Sequence, residues 1–189
     1  MHLKRNMQPT VTIQNVVASA TLQQDLDLDS IVQTFSGVEY RPEQFPGLVF
    51  RLRKPKAAAL IFKTGKMVCT GSRSERQARR AVLRVVDELR RNGIVIFSKP
   101  NIQIQNIVAS VELGGTIDLE KAMYSLERTM YEPEQFPGLI YRMDEPKVVF
   151  LLFTSGKLVC TGGKTEEDVH KAVARLQETL QRKELIHYR

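Results

Sequence analysis

The chain has 189 residues, 42% of them hydrophobic and 26% charged, and 28 Lys and Arg against 21 Asp and Glu give a formal charge of +7; that is enough for one sizeable core or two lobes of roughly 90 residues. No apolar run approaches the roughly 18 residues of a membrane-crossing helix, and residues 1–9 are polar and basic with no apolar stretch behind them, so a soluble intracellular protein with no membrane partner is expected. Two cysteines, Cys69 and Cys160, and three scattered histidines, His2, His170 and His187, supply neither a disulfide framework nor a four-ligand zinc site, so no metal and no cofactor is expected.

Read in chain order, residues 11–20 are β-rich and half-alternating, which predicts a strand. Leu28, Ile31, Val32 and Phe35 then fall at helical spacing behind Asp27, a residue type that caps helix N-termini. Residues 48–53, 57–62 and 66–70 are strand-like and separated by Lys54-Pro55-Lys56 and Lys63-Thr64-Gly65, so they predict an antiparallel meander. Ser74, with Gln77 three residues on, opens a longer helix whose stripe is Ala78, Ala81, Val82, Val85 and Leu89. The whole series then returns. An offset of 91 residues aligns 10–92 with 101–183 without a gap, with 34 of 83 positions identical, and Val169, Ala172, Val173, Leu176 and Leu180 repeat the long stripe behind Thr165. A duplicated small domain of class α+β follows, each copy a sheet with helices on one side.

A sheet covered by helices on one face alternates apolar inward and polar outward, but these strands are apolar on both. Ala57, Ala59 and Ile61 oppose Ala58, Leu60 and Phe62; Val148, Phe150 and Leu152 oppose Val149, Leu151 and Phe153. The face left over carries Val17, Leu60 and Val68 and their mates Val108, Leu151 and Val159, punctuated by Asn15, Thr70, Asn106 and Thr161. Arg51, Lys66 and Arg73, mirrored by Arg142, Lys157 and Lys164, are expected at the ends of the same strands. A broad apolar surface needs an occupant, and a partner subunit or another segment would serve. An apolar centre with a cationic rim and few hydrogen-bonding side chains also matches the minor groove of duplex DNA, where sugar edges are apolar, phosphates flank the groove and the bases offer mainly acceptors.

Gln14-Asn15-Val16-Val17 with Gln105-Asn106-Ile107-Val108, the paired Glu-Gln-Phe-Pro-Gly-Leu loops beginning at Glu43 and Glu134, and the paired Gly-Lys-x-Val-Cys-Thr-Gly segments beginning at Gly65 and Gly156 resemble the TATA-box-binding protein family. The likeness runs across residues 11–183 at one fixed offset. It implies two tandem pseudo-twofold repeats, residues 1–98 and 99–189, forming a saddle with one continuous curved antiparallel sheet and helices on the convex face. It also implies a general transcription initiation factor, not an enzyme, that binds A/T-rich promoter DNA in the minor groove and kinks it. By the same resemblance Phe45 with Phe62 and Phe136 with Phe153 are intercalating pairs, and Asn15, Asn106, Thr70 and Thr161 donate to base edges. Val17, Val68, Leu60, Val108, Val159 and Leu151 press on the groove floor, and the six rim cations bind phosphate.

Partners follow from the resemblance too: double-stranded promoter DNA, transcription factor B at Glu132, Glu134 and Gln135, and RNA polymerase indirectly; the apolar sheet face itself leaves open a homodimer when DNA is absent. The basic helix with Arg76, Arg79, Arg80, Arg84, Arg90 and Arg91 resembles the family's regulator-binding or flanking-DNA face. The absence of a long N-terminal extension and the Glu-Gln-Phe-Pro-Gly in both copies look archaeal, and a nucleoid-associated location is expected; the basic charge and the ending Leu185-Ile186-His187-Tyr188-Arg189 depart from an acidic archaeal tail. Among rivals, Gly163-Lys164-Thr165 ends like a phosphate-binding loop, but Leu158 stands where that loop needs glycine. An apolar-ligand carrier or a DNA-repair-like protein on a related sheet-and-helix fold is the alternative.

Overall fold

The computed structural model describes residues 8–188. Two compact units divide the chain, one of residues 14–106 and one of residues 107–188 with the described residues up to Ile13. In chain order the elements are β1 (Thr10–Thr21), α1 (Leu28–Thr34), β2 (Leu48–Arg53), β3 (Lys56–Ile61), β4 (Lys66–Ser72), α2 (Glu75–Arg91), β5 (Asn101–Glu112), β6 (Gly115–Ile117), α3 (Leu119–Ser125), β7 (Thr129–Met130), β8 (Leu139–Met143), β9 (Val148–Leu152), β10 (Lys157–Gly163), α4 (Glu166–Arg182) and β11 (Ile186–Tyr188). The fold is α+β and built of two tandem repeats. In the first unit the strands run β2-β3-β4-β1; in the second they run β5-β10-β9-β8-β7, with β6 and β11 forming a separate two-stranded sheet.

Each helix starts where a short polar side chain can accept an orphan backbone N–H. Asp27 accepts from the Ser30 N–H at the head of α1, and Ser74 Oγ accepts from the Gln77 N–H at 3.0 Å at the head of α2. Asp118 and Thr165 repeat these caps for α3 and α4. The Ser30 hydroxyl, which donates to Asp27, is the largest cause holding that carboxyl below its usual range.

Amphipathic stripes then fix how the long helices dock. Ala78, Ala81, Val82, Val85, Val86 and Leu89 are buried along α2, and Val169, Ala172, Val173, Leu176 and Leu180 along α4. Each fully buried Val or Leu is worth roughly 1.5–3 kcal/mol relative to exposure, which outweighs the modest helix propensity of valine. Opposite them lie Ala57, Ala59, Ile61, Met67 and Cys69 in one unit and Val148, Phe150, Leu152, Leu158 and Cys160 in the other, all under 7% exposed. Burial pushes the Cys69 and Cys160 thiols up to about 12, so both are inert core residues at neutral pH.

One irregularity is shared by both units. Val16 pairs with Ser72 and Ala18 with Cys69, so three steps of β4 face two of β1; Cys160 to Gly163 against Ala109 to Ile107 repeats the bulge. Gly71 and Gly162 occupy it at φ +102° and +97°, a region that side chains rarely tolerate.

Candidate nucleic-acid interface

Strand alternation puts the second apolar set on the side away from the long helices. In the first unit Val49, Leu60, Val68 and Ser19 line up across β2, β3, β4 and β1, and Arg51, Ala58 and Thr70 form the next row. Ile140, Leu151, Val159 and Ser110, followed by Arg142, Val149 and Thr161, repeat both rows in the second unit. Val17, Leu60, Val68, Val108, Leu151 and Val159 are all half-buried rather than sealed, so no helix of the unit covers them. Val49 and Ile140 belong to this surface and were missed from the sequence. Their signal was the same parity, since Leu48, Phe50 and Leu52 are the buried set of β2.

At the edge of each face stands a pair of aromatic rings. Phe45 and Phe62 meet edge to face with centroids 5.9 Å apart, and Phe136 and Phe153 do so at 6.0 Å. Turns hold both partners: Phe45 N–H donates to Arg41 O and Phe136 N–H to Glu132 O, while Phe62 N–H donates to Lys66 O and Phe153 N–H to Lys157 O. Phe45 and Phe136 remain 45% and 43% exposed. An apolar ring held in a turn at that exposure has no core to join.

Asn15 sits beside the bulge, and the bulge sets which way its amide points. Gly71 N–H donates to Asn15 Oδ1 at 2.7 Å, and the Thr70 hydroxyl lies 3.0 Å from Nδ2 and 3.2 Å from Oδ1. The backbone contact fixes the flip of the amide, and the amide and hydroxyl pair with each other, which leaves the second N–H of Nδ2 as a donor. Asn106 and Thr161 hold the same positions relative to the second bulge and Gly162.

Positive charge borders these faces. Arg51 and Arg142 lie within β2 and β8 rather than at strand ends, a correction to the expectation: their parity, not their terminal position, brings them to the face. Lys66 and Lys157 open β4 and β10, while Arg73 and Lys164 follow them directly. Arg51 pairs with Glu39 at 3.3 Å and Lys157 with Glu112 at 3.9 Å, all four side chains more than half exposed. Such pairs contribute little and exchange readily for another anion.

The loops carrying Phe45 and Phe136 differ in charge. Glu132, Glu134 and Gln135 are exposed in the second, where the first has Arg41, Glu43 and Gln44. Among the described residues no group of three or more His, Cys, Asp or Glu is placed to hold a metal ion, and no helix is long and apolar enough to cross a membrane.

The chain is thus a duplicated sheet-and-helix protein, each copy carrying an apolar uncovered face, an aromatic pair at its edge and a cationic border. The profile of the family described as transcription factor TFIID, or TATA-binding protein, matches residues 10–92 and again 101–183. The TATA-box-binding protein of Pyrodictium occultum is 56% identical over 174 residues, spanning 92% of this chain and 87% of its own, and that of Sulfolobus acidocaldarius is 55% identical over 170 residues, spanning 90% and 86%. The solved structure of the Methanococcus jannaschii protein matches with a TM-score of 0.83 at 46% identity, covering 91% of this chain and 98% of that one. The chain belongs to the TATA-box-binding protein family. These relatives are archaeal, in line with the form of the loops.

Proposed function

We propose that this protein is a TATA-box-binding transcription initiation factor that grips A/T-rich promoter DNA through the minor groove and recruits transcription factor B, and through it RNA polymerase. Residues 1–98 and 99–189 serve as its two DNA-binding repeats. Phe45 with Phe62 and Phe136 with Phe153 wedge between base steps, the half-buried valines and leucines pack on sugar edges, and Asn15, Thr70, Asn106 and Thr161 donate to adenine N3 and thymine O2. In the minor groove A/T and G/C differ mainly by the guanine amino donor, which these few side-chain donors would oppose with another donor. The six rim cations meet phosphates. Glu132, Glu134 and Gln135 form the acidic contact for transcription factor B, and the chemistry is binding and bending, without a catalytic step.

The observation that supports this reading most is the edge-to-face pair of phenylalanines, present at equivalent positions in both units beside an apolar face, with Phe45 and Phe136 left exposed. The test is a titration of end-labelled duplexes, A/T-rich against G/C-rich, with energy transfer between the ends. The expected result is at least a hundredfold preference for the A/T-rich duplex, with the ends drawing together on binding and a slower gel-shift species when transcription factor B is added. Equal, weak binding to both duplexes with unchanged end distance would overturn the proposal.

A further inference from the structure

The segment that follows each long helix is held differently in the two units. After α4, Leu185 N–H donates to Leu180 O at 2.8 Å, and β11 then pairs with β6, Ile186 opposite Ile117 and Tyr188 opposite Gly115. Ile186 is 7% exposed, and the Tyr188 hydroxyl accepts from Gln181 Nε2 at 2.8 Å. This segment closes its unit by covering apolar surface.

Ninety-one residues earlier stand Val95 and Phe97, in the places of Ile186 and Tyr188. Ile94 N–H makes the matching bond to Leu89 O at 3.0 Å. Gln24, however, occupies the place of Gly115, and its side chain holds the segment: Nε2 donates to Val95 O at 2.8 Å and Oε1 accepts from Phe97 N–H at 2.9 Å. The Ser98 hydroxyl donates to Leu22 O, and the Arg90 guanidinium donates to Ile96 O at 3.2 Å and Ser98 O at 2.9 Å. The backbone is thus fastened on both sides of Phe97, yet Val95 is 62% and Phe97 86% exposed. Fastening lowers the entropy lost when a partner covers the ridge.

We propose that Val95 and Phe97 form a preorganised docking ridge for an acidic protein segment that carries apolar side chains. Charge selects the partner. The Arg90 guanidinium lies against the carbonyls before and after Phe97, Arg91 follows it on α2, and Lys99 stands two residues beyond the ring. A protein suits the ridge better than nucleic acid does, because its anchors are apolar and the Arg90 fork that would grip phosphate is already engaged, with Nε and an Nη on the two carbonyls. The charge remains to attract carboxylates while the ring and the isopropyl group supply the anchors.

A random peptide library displayed on phage, panned on the full chain and counter-selected on the Phe97→Ser variant, tests this directly. The expected enriched peptides combine Asp or Glu with Leu, Ile, Phe or Trp, and lose at least tenfold in affinity with Phe97→Ser and severalfold with Lys99→Glu. Since the ring is exposed, Phe97→Ser should melt with the parent and bind the A/T-rich duplex equally well, so this result is separable from failure of the DNA-binding reading. The proposal is overturned if no pool discriminates against Phe97→Ser, if the pools are not acidic, or if Phe97→Ser instead weakens binding of single- or double-stranded DNA.

Discussion

A Cβ on Gly138 would lie 2.8 Å from Cε1 of Phe136 and 3.1 Å from Cε1 of Phe153; on Gly47 it would meet Phe45 and Phe62 at 2.7 and 3.1 Å. Neither glycine is in the left-handed region, so the requirement is space under the rings rather than backbone freedom. Gly138→Ala should therefore push Phe136 away from Phe153 while leaving the backbone at ease. The ring is the far end of a half-exposed side chain, so its displacement costs little stability. Expected outcomes are a melting temperature within about 3 °C of the parent, smaller DNA bending by energy transfer and an affinity about fivefold lower, equivalent to about 1 kcal/mol. Full bending combined with a large loss of thermal stability would instead mark the ring pair as part of the fold's own packing.

Among the elements, the caps were legible because each stands directly before an apolar stripe of helical period: Asp27, Ser74 and Thr165 needed only their neighbours in sequence. Ser74→Ala removes the acceptor for the Gln77 N–H and should cost about 1 kcal/mol. For a chain of this length that is roughly 2–4 °C in a thermal melt followed by circular dichroism, and no shift would show the cap to be redundant. The faces of β3, β4 and β9 could likewise be read by parity, because their side chains simply alternate. What could not be read depends on partners distant in sequence. The bulge at Gly71 exists only in the register of β4 against β1, so the orientation it imposes on Asn15 was invisible. β6 and β11 are three residues each and define one another across the length of the second unit. The steric role of Gly47 and Gly138 requires the ring positions, although the rings themselves were named from the family likeness.

For the whole molecule the deciding quantity is charge. Residues 1–99 carry 17 basic and 8 acidic side chains and residues 100–189 carry 11 and 13, so the excess of +7 lies entirely in the first half. Net charge of this kind speeds encounter with any polyanion but does not select one. The affinity that depends on salt should come instead from the cations bordering the faces, Arg51, Lys66 and Arg73 with Arg142, Lys157 and Lys164. If all six displace counterions from duplex DNA, log K should fall against log salt with a slope of about −5, close to a thousandfold loss between 50 and 200 mM. Arg142→Gln should then make the slope shallower by about 1 and weaken A/T-rich and G/C-rich duplexes alike, because a phosphate contact carries no sequence information. Fluorescence anisotropy titrations at four salt concentrations measure both slopes. An unchanged slope for Arg142→Gln, or a parent slope near zero with A/T preference intact, would place the phosphate contacts elsewhere on the molecule.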